Sequence, residues 1–315
     1  MLAKGESSTV GGGARGTFAL GPPRGRRAMR QRWRDLLFLH WSVLPEVIQA
    51  TLPEGLTVDT FDGEDGFDFR GRGWLGVVPF RMEGVRPTGL PAVPWLSDFG
   101  ELNLRTYVVG PDGTPGVWFY SLDADQGVAV WIARRVFALP YHRAAIRQED
   151  EVLAEAEPRR RVRYFWQRRG EAGGDDGPAF EYDVPGDGAA RPAEVGTLAH
   201  WLVERYVLYS RRPLFLYGSG RTRPSGDGRL YAGRVDHAAY RVAEPPKIEM
   251  RRWDASPLGL NGFVADLVGG REPDHAVWSP GVDVSVYPLE RVRLHSPPPE
   301  APEVGPPPPD SGGGP

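Results

Sequence analysis

The sequence predicts an α+β fold dominated by antiparallel strands, a closed or half-closed sheet with a few helices packed on it. Three observations carry this expectation. Runs of aromatic and β-branched residues recur between Gly and Pro, helical periodicity is confined to a few places, and no strand–helix alternation of the parallel βαβ kind is present.

In chain order the strand-like runs are 36–41, 58–61, 73–82, 102–109, 117–122, 161–167, 180–184, 214–217, 229–235 and 282–287. Helices are expected where Val47, Ile48 and Leu52 follow Pro45, a favourable first-turn residue. A second is expected over 125–137, with Val128, Trp131, Ile132 and Val136 at helical spacing behind Asp125 as N-cap. A third carries Val195, Leu198, Ala199, Leu202 and Tyr206.

The length of 315 residues suits one large domain or two small ones at roughly 100–200 residues each. Residues 1–28 and 296–315 are low-complexity, rich in Gly, Pro and Arg or in Pro and Gly, and are read as disordered tails flanking a domain over 29–295. The Gly-rich segment Gly170–Gly177 predicts a long exposed loop, which either divides two subdomains or is only a hairpin tip.

A formal net charge of −3 exerts no overall pull toward nucleic acid or an anionic membrane. No apolar run approaches the ~20 residues of a membrane span, and no signal-like apolar stretch stands near the start. With no cysteine, disulfides, thiolate nucleophiles and Cys-based zinc sites are excluded, and a cytoplasmic location is the expectation. The six histidines show no metal-ligand spacing, so neither a metal nor any other cofactor is expected. Asp62 to Asp68 lacks the ligand order of a calcium loop and is read as a turn. Gly218-Ser219-Gly220 is read as a hairpin turn, because it lies between two strand candidates and fits no nucleophile elbow or phosphate loop.

Chemistry concentrates around Glu101-Leu102-Asn103-Leu104-Arg105-Thr106-Tyr107. Alternation on a strand puts Glu101, Asn103, Arg105 and Tyr107 on one face. That face is either wetted by solvent or, turned into a barrel, forms a hydrogen-bonded set of complementary donors and acceptors. In the next strand Ser121 and Asp123 are assigned to turn and capping needs, and Tyr120 is a candidate ligand contact. The arginine-rich run 159–169 mixes cations with aromatics as nucleic-acid-binding strands do. The preferred reading is a charged edge strand resisting edge-to-edge pairing.

The stretches Trp33–Phe38, Val78–Met82, Glu101–Val108, Pro115–Ala124 and Leu139–Tyr141, with Glu204-Arg205-Tyr206 and the segment up to His237, resemble in order the YqjF-like bacterial family of unknown function, within the acetoacetate decarboxylase superfamily. The resemblance extends to about residue 290 and implies that superfamily's half-closed barrel. It makes Glu101 the cavity glutamate and sets Ala138, Leu139, Pro140, Tyr141 and His142 against the decarboxylases' Gly-aromatic-Pro-Lys-Lys run. Both lysines of that run are absent, and the chain's lysines are Lys4 and Lys247 alone. Tyr141 stands where the Schiff-base lysine would be, and a phenol cannot form an iminium.

The expected function is binding of a small carboxylate- or enolate-bearing metabolite in the barrel cavity. Acid/base chemistry without a Schiff base would fall to Glu101, Tyr141 and His142, with Asn103, Arg105, Tyr107, Tyr120 and Arg134 contacting the ligand. Arginine suits a carboxylate because its planar fork pairs in bidentate fashion. The alternative is a non-catalytic ligand sensor or an oligomeric interaction module, and homo-oligomerisation is left open.

Overall fold

A computed structural model describes residues 25–293, apart from 64–68, 128–138, 155–158, 169–176, 187, 212–228, 251–266 and 269. Both tails fall almost wholly outside the described residues. So do most of the 125–137 helix including Arg134, the 214–217 strand, the Gly218–Gly220 turn and nearly all of the 170–177 loop.

Fifteen strands and three short helices are described. The strands are β1 (Met29–Val43), β2 (Thr57–Val58), β3 (Gly73–Pro87), β4 (Phe99–Val109), β5 (Pro115–Ala124), β6 (Tyr141–Ala154), β7 (Arg159–Arg168) and β8 (Phe180–Val184). They continue with β9 (Arg191–Pro192), β10 (Val207–Arg211), β11 (Leu230–Asp236), β12 (Arg241–Val242), β13 (Ile248–Met250), β14 (His275–Val286) and β15 (Glu290–Arg291). The helices are α1 (Pro45–Gln49), α2 (Pro94–Ser97) and α3 (Leu198–Val203). Pro45 opens α1 as expected, and the Thr197 hydroxyl caps α3 by accepting from the His200 N–H.

The large sheet is mostly antiparallel and curls into a partial ring. Its order is β13-β8-β7-β6-β5-β10-β11-β14-β1-β3-β4-β2, and β5 also pairs with β4. The ring is weakest where β5 meets β10 and where β11 meets β14, joints of two residue pairs each. Beyond β5 the sheet leaves the ring as a wing of β6, β7, β8 and β13.

β1 is buried on both faces because it lies between the two halves. Leu36 and Phe38 face the ring's interior core, whereas Leu37, Leu39 and Trp41 belong to the core shared with Tyr164, Trp166 and Tyr182 of the wing. That double burial explains the unbroken apolar run over 36–39. Asp35 sits at the irregularity between these stretches with φ 53, a left-handed value uncommon outside glycine. Its buried carboxylate holds Arg160 of the wing and, at 3.1 Å, Arg81 of the ring.

Opposite this irregularity, Gly281 has φ 125, and an added Cβ would come 2.0 Å from the Trp33 carbonyl oxygen. Gly281→Ala is therefore expected to destabilise by at least about 1–3 kcal/mol, measured by urea unfolding, through left-handed strain and the clash with β1.

Two sequence expectations are corrected and one strand is added. β7 is an interior strand between β6 and β8, not an edge, and its arginines meet carboxylates: Arg160 with Asp150, Arg161 with Asp183, Arg163 with Glu151 and Glu181. Ser121 and Asp123 serve no turn. They are buried inside β5, where Asp123 takes a two-pronged pair from Arg168 at 2.7 and 3.1 Å and a bond from the Trp166 indole at 3.0 Å. Tyr141 and His142 begin a 14-residue strand that the sequence did not announce, because β6 is charged on both faces and draws its order from pairing with β7.

Candidate functional site

The ring bounds a partly open cavity of about 220 Å³. β4 forms its polar wall. In register with Phe80, Val78 and Gly76 of β3, the residues Glu101, Asn103 and Arg105 descend inward, and Glu101, Asn103 and Arg105 all line the cavity with Tyr141.

Glu101 is buried, and its Oε2 accepts from the Tyr141 hydroxyl at 3.0 Å. Burial pushes its pKa up to about 8, against partial relief from hydrogen bonds with Tyr141 and Asn103, while the Asp123 carboxylate adds to the rise. Burial and then Glu101 drive the Tyr141 phenol well above its ordinary value, so it remains a donor. The Asn103 side chain is 6% exposed, and its Oδ1 finds no hydrogen-bond partner among the described residues.

Arg105 is 8% exposed. Among the described residues it pairs with no carboxylate and its Nε has no partner; its Nη2 makes only long bonds, 3.3 Å to the Tyr107 hydroxyl and 3.5 Å to the Leu202 carbonyl. Arg205 lines the same cavity. It is paired with Asp59 at 2.6 Å, yet its Nη2 is buried without a partner. Both guanidiniums lie over the Tyr107 ring, 5.5 and 5.1 Å from its centroid. Two cations with one carboxylate between them leave a net positive inner end.

Tyr107 does not line the cavity but underlies it. Its hydroxyl is 2.7 Å from His40 Nε2, and His40 Nδ1 is 3.1 Å from His275 Nδ1. A guanidinium only donates, so the tyrosine proton goes to His40 Nε2, and neutral His40 turns its Nδ1–H toward His275. Burial, then His275 and Arg105, hold the His40 pKa well below its usual value, which matches this neutral form.

The other expected contacts fall elsewhere. A bulge opposite Leu104 and Arg105 reverses the facing of β5, so that Phe119 and Leu122 line the cavity while Tyr120 turns out to bond Thr51 at 2.6 Å. His142 follows Tyr141 on β6 and is not among the lining residues, as alternation requires. Arg134 lies outside the described residues. Lys247 pairs with Glu249 at 2.5 Å and does not line the cavity. Arg205 and the His40–His275 pair went unassigned in the sequence, although the resemblance covered Glu204-Arg205-Tyr206. Their roles depend on contacts over long chain separations.

The chain is 37% identical to the uncharacterized protein YqjF of Bacillus subtilis (strain 168) over 188 residues, 60% of this chain and 69% of that protein. Its fold is similar to that of acetoacetate decarboxylase from Legionella pneumophila, with a TM-score of 0.54 at 12% identity, covering 88% of this chain and 93% of that one. It is similar also to an acetoacetate decarboxylase-like enzyme from Sphingomonas wittichii RW1, with a TM-score of 0.54 at 16% identity, covering 88% and 100%. The enduracididine biosynthesis enzyme MppR complexed with pyruvate matches at a TM-score of 0.52 and 14% identity, covering 88% and 93%. The family model matching residues 30–283 completes the placement: on an acetoacetate decarboxylase-like fold, the chain belongs to DUF2071, a family of uncharacterized conserved proteins.

Proposed function

We propose that the protein binds a small carboxylate-bearing metabolite in the ring cavity and uses Glu101 to exchange a proton with it. The observation that carries this reading is Arg105, a buried guanidinium without a carboxylate partner among the described residues, beside an Asn103 oxygen that also lacks one. A buried, uncompensated charge is costly unless a ligand supplies the counter-charge. The MppR structure with pyruvate shows that this fold admits such a molecule.

In this reading the ligand carboxylate lies on Arg105, with Arg205 adding positive charge. Its carbonyl, hydroxyl or enol oxygen meets Glu101, Tyr141 and Asn103. With a pKa of about 8, Glu101 holds its proton at neutral pH. It can deliver that proton to an enolate, and the resulting carboxylate is stabilised by the Tyr141 hydroxyl until it recovers a proton. No amine takes part, so borohydride with acetoacetate is expected to label nothing stoichiometrically.

The test is calorimetric titration of the full chain with pyruvate and acetoacetate, after thermal-shift screening of a carboxylate library. Arg105→Gln is expected to weaken binding at least about tenfold, since a hydrogen bond to a charged group contributes about 1.5–3 kcal/mol. Without ligand, the same variant is expected to melt no lower than the parent, because the buried cation has no counter-charge to lose. Tyr141→Phe is expected to weaken binding or turnover while leaving the fold intact. Carboxylates that bind all three proteins equally would place the site elsewhere. Binding by the parent without turnover of any library member would favour a ligand sensor over an enzyme.

A further inference from the structure

The inner end of the cavity and its rim differ in what they ask of a ligand. Register sets the levels: Arg105 lies opposite Gly76, Asn103 opposite Val78, Glu101 opposite Phe80 and Phe99 opposite Met82, with Trp33 of β1 opposite Met82 in turn. At about 3.4 Å per residue, the Phe99 level stands about 20 Å along β4 from that of Arg105. The cavity continues past it to Met29, Val85 and Leu96 at the half-exposed rim.

Above Glu101 the lining is mostly apolar, and its polar side chains Gln31 and Arg86 each make an internal hydrogen bond. The Trp33 indole N–H donates to Gln31 Oε1 at 2.9 Å, so Trp33 offers the cavity a ring and not a donor. Arg86 Nη1 donates to the Gly84 carbonyl at 2.8 Å. Trp33 and Phe80 meet edge to face with centroids 5.8 Å apart, forming one aromatic wall. Buried side-chain atoms without a partner among the described residues are found inward, at Asn103, Arg105 and Arg205. The size points the same way. One water needs about 10–15 Å³ of such space, so a cavity of about 220 Å³ far exceeds a three-carbon acid.

We infer that the ligand is an amphiphilic carboxylic acid, its anionic group on Arg105 and an alkyl or aryl body of about eight carbons or more directed toward the apolar wall of Phe80, Met82, Phe99 and Trp33. This rests on the carboxylate reading above and narrows it to a substrate class. The apolar body supplies most of the affinity, and the polar inner end supplies orientation.

The experiment titrates the full chain by calorimetry with acetate, butanoate, octanoate, pyruvate, phenylpyruvate and 1-octanol. Each methylene moved from water into an apolar wall contributes about fourfold in affinity. Octanoate is therefore expected to bind at least about thirtyfold more tightly than butanoate, and phenylpyruvate at least about tenfold more tightly than pyruvate. 1-Octanol has the tail without the charge and is expected to bind at least about tenfold more weakly than octanoate. Whichever of octanoate and phenylpyruvate binds more tightly identifies the body as alkyl or aryl. Equal affinity for short and long acids would overturn this inference and leave the carboxylate reading standing. Octanol binding as tightly as octanoate would overturn both, as would a failure of every acid to bind.

Discussion

Asp123→Ala is expected to lower stability by about 3–5 kcal/mol, which is large against the 5–15 kcal/mol that holds a typical domain folded. The carboxylate is fully buried and accepts from two Arg168 nitrogens, the Trp166 indole and the Ser121 hydroxyl. Truncation removes the counter-charge of a buried guanidinium and an acceptor of the Trp166 indole N–H. These bonds join β5 of the ring to β7 of the wing, so the loss should loosen the wing first. Hydrogen exchange should then show lost protection in β6 to β8 before β1 and β3. The double variant Asp123→Val with Arg168→Met should recover much of the loss, because it removes both charges with little change in volume. A urea midpoint unchanged by Asp123→Ala would show the pair to be energetically idle.

The second large effect concerns pH. The folded-state pKa of Glu101, about 8, lies above its ordinary value near 4.5. The folded protein therefore binds this proton more tightly than the unfolded chain does. Its contribution to stability is fully present below about pH 4.5 and is lost as pH rises through about 8. At about 1.36 kcal/mol per unit the change is on the order of 5 kcal/mol. Glu101→Gln keeps the shape and cannot ionise. The parent-minus-variant difference in unfolding free energy should therefore fall steadily from pH 5 to pH 8.5, leaving the variant the more stable of the two at alkaline pH. A difference that stays flat over that range would mean Glu101 is ionised throughout, and its role as a proton donor would fail. If the acid role holds, turnover of any substrate by the parent should decline above about pH 8.

Much of the fold was legible because strands report themselves locally. β4, β5, β7, β8 and β11 match the predicted runs closely, each being a short stretch of aromatic and β-branched residues between Gly, Pro or polar breaks. β6 was not legible. Its sequence, Tyr141-His142-Arg143-Ala144-Ala145-Ile146-Arg147-Gln148-Glu149-Asp150, carries little β propensity, and it is ordered by ion pairs and hydrogen bonds with the neighbouring strand β7. Within the site, alternation alone predicted one common face for Glu101, Asn103 and Arg105. Tyr120 was misplaced because a one-residue bulge inverts facing, and no residue pattern in β5 marks it.

By itself the sequence determined that this chain folds as a mainly antiparallel sheet and that thiol chemistry is closed to it. Those properties follow from composition, spacing and side-chain periodicity, which survive any rearrangement of the elements in space. The tertiary structure alone decided that Asp123 is a buried strut, that Arg205 joins Arg105, and that Arg105 has no counter-charge among the described residues. It also decided that the cavity turns from polar to apolar toward its rim. Burial and ion pairing depend on which segments meet across the sheet, and local sequence holds no record of partners brought together from opposite ends of the chain.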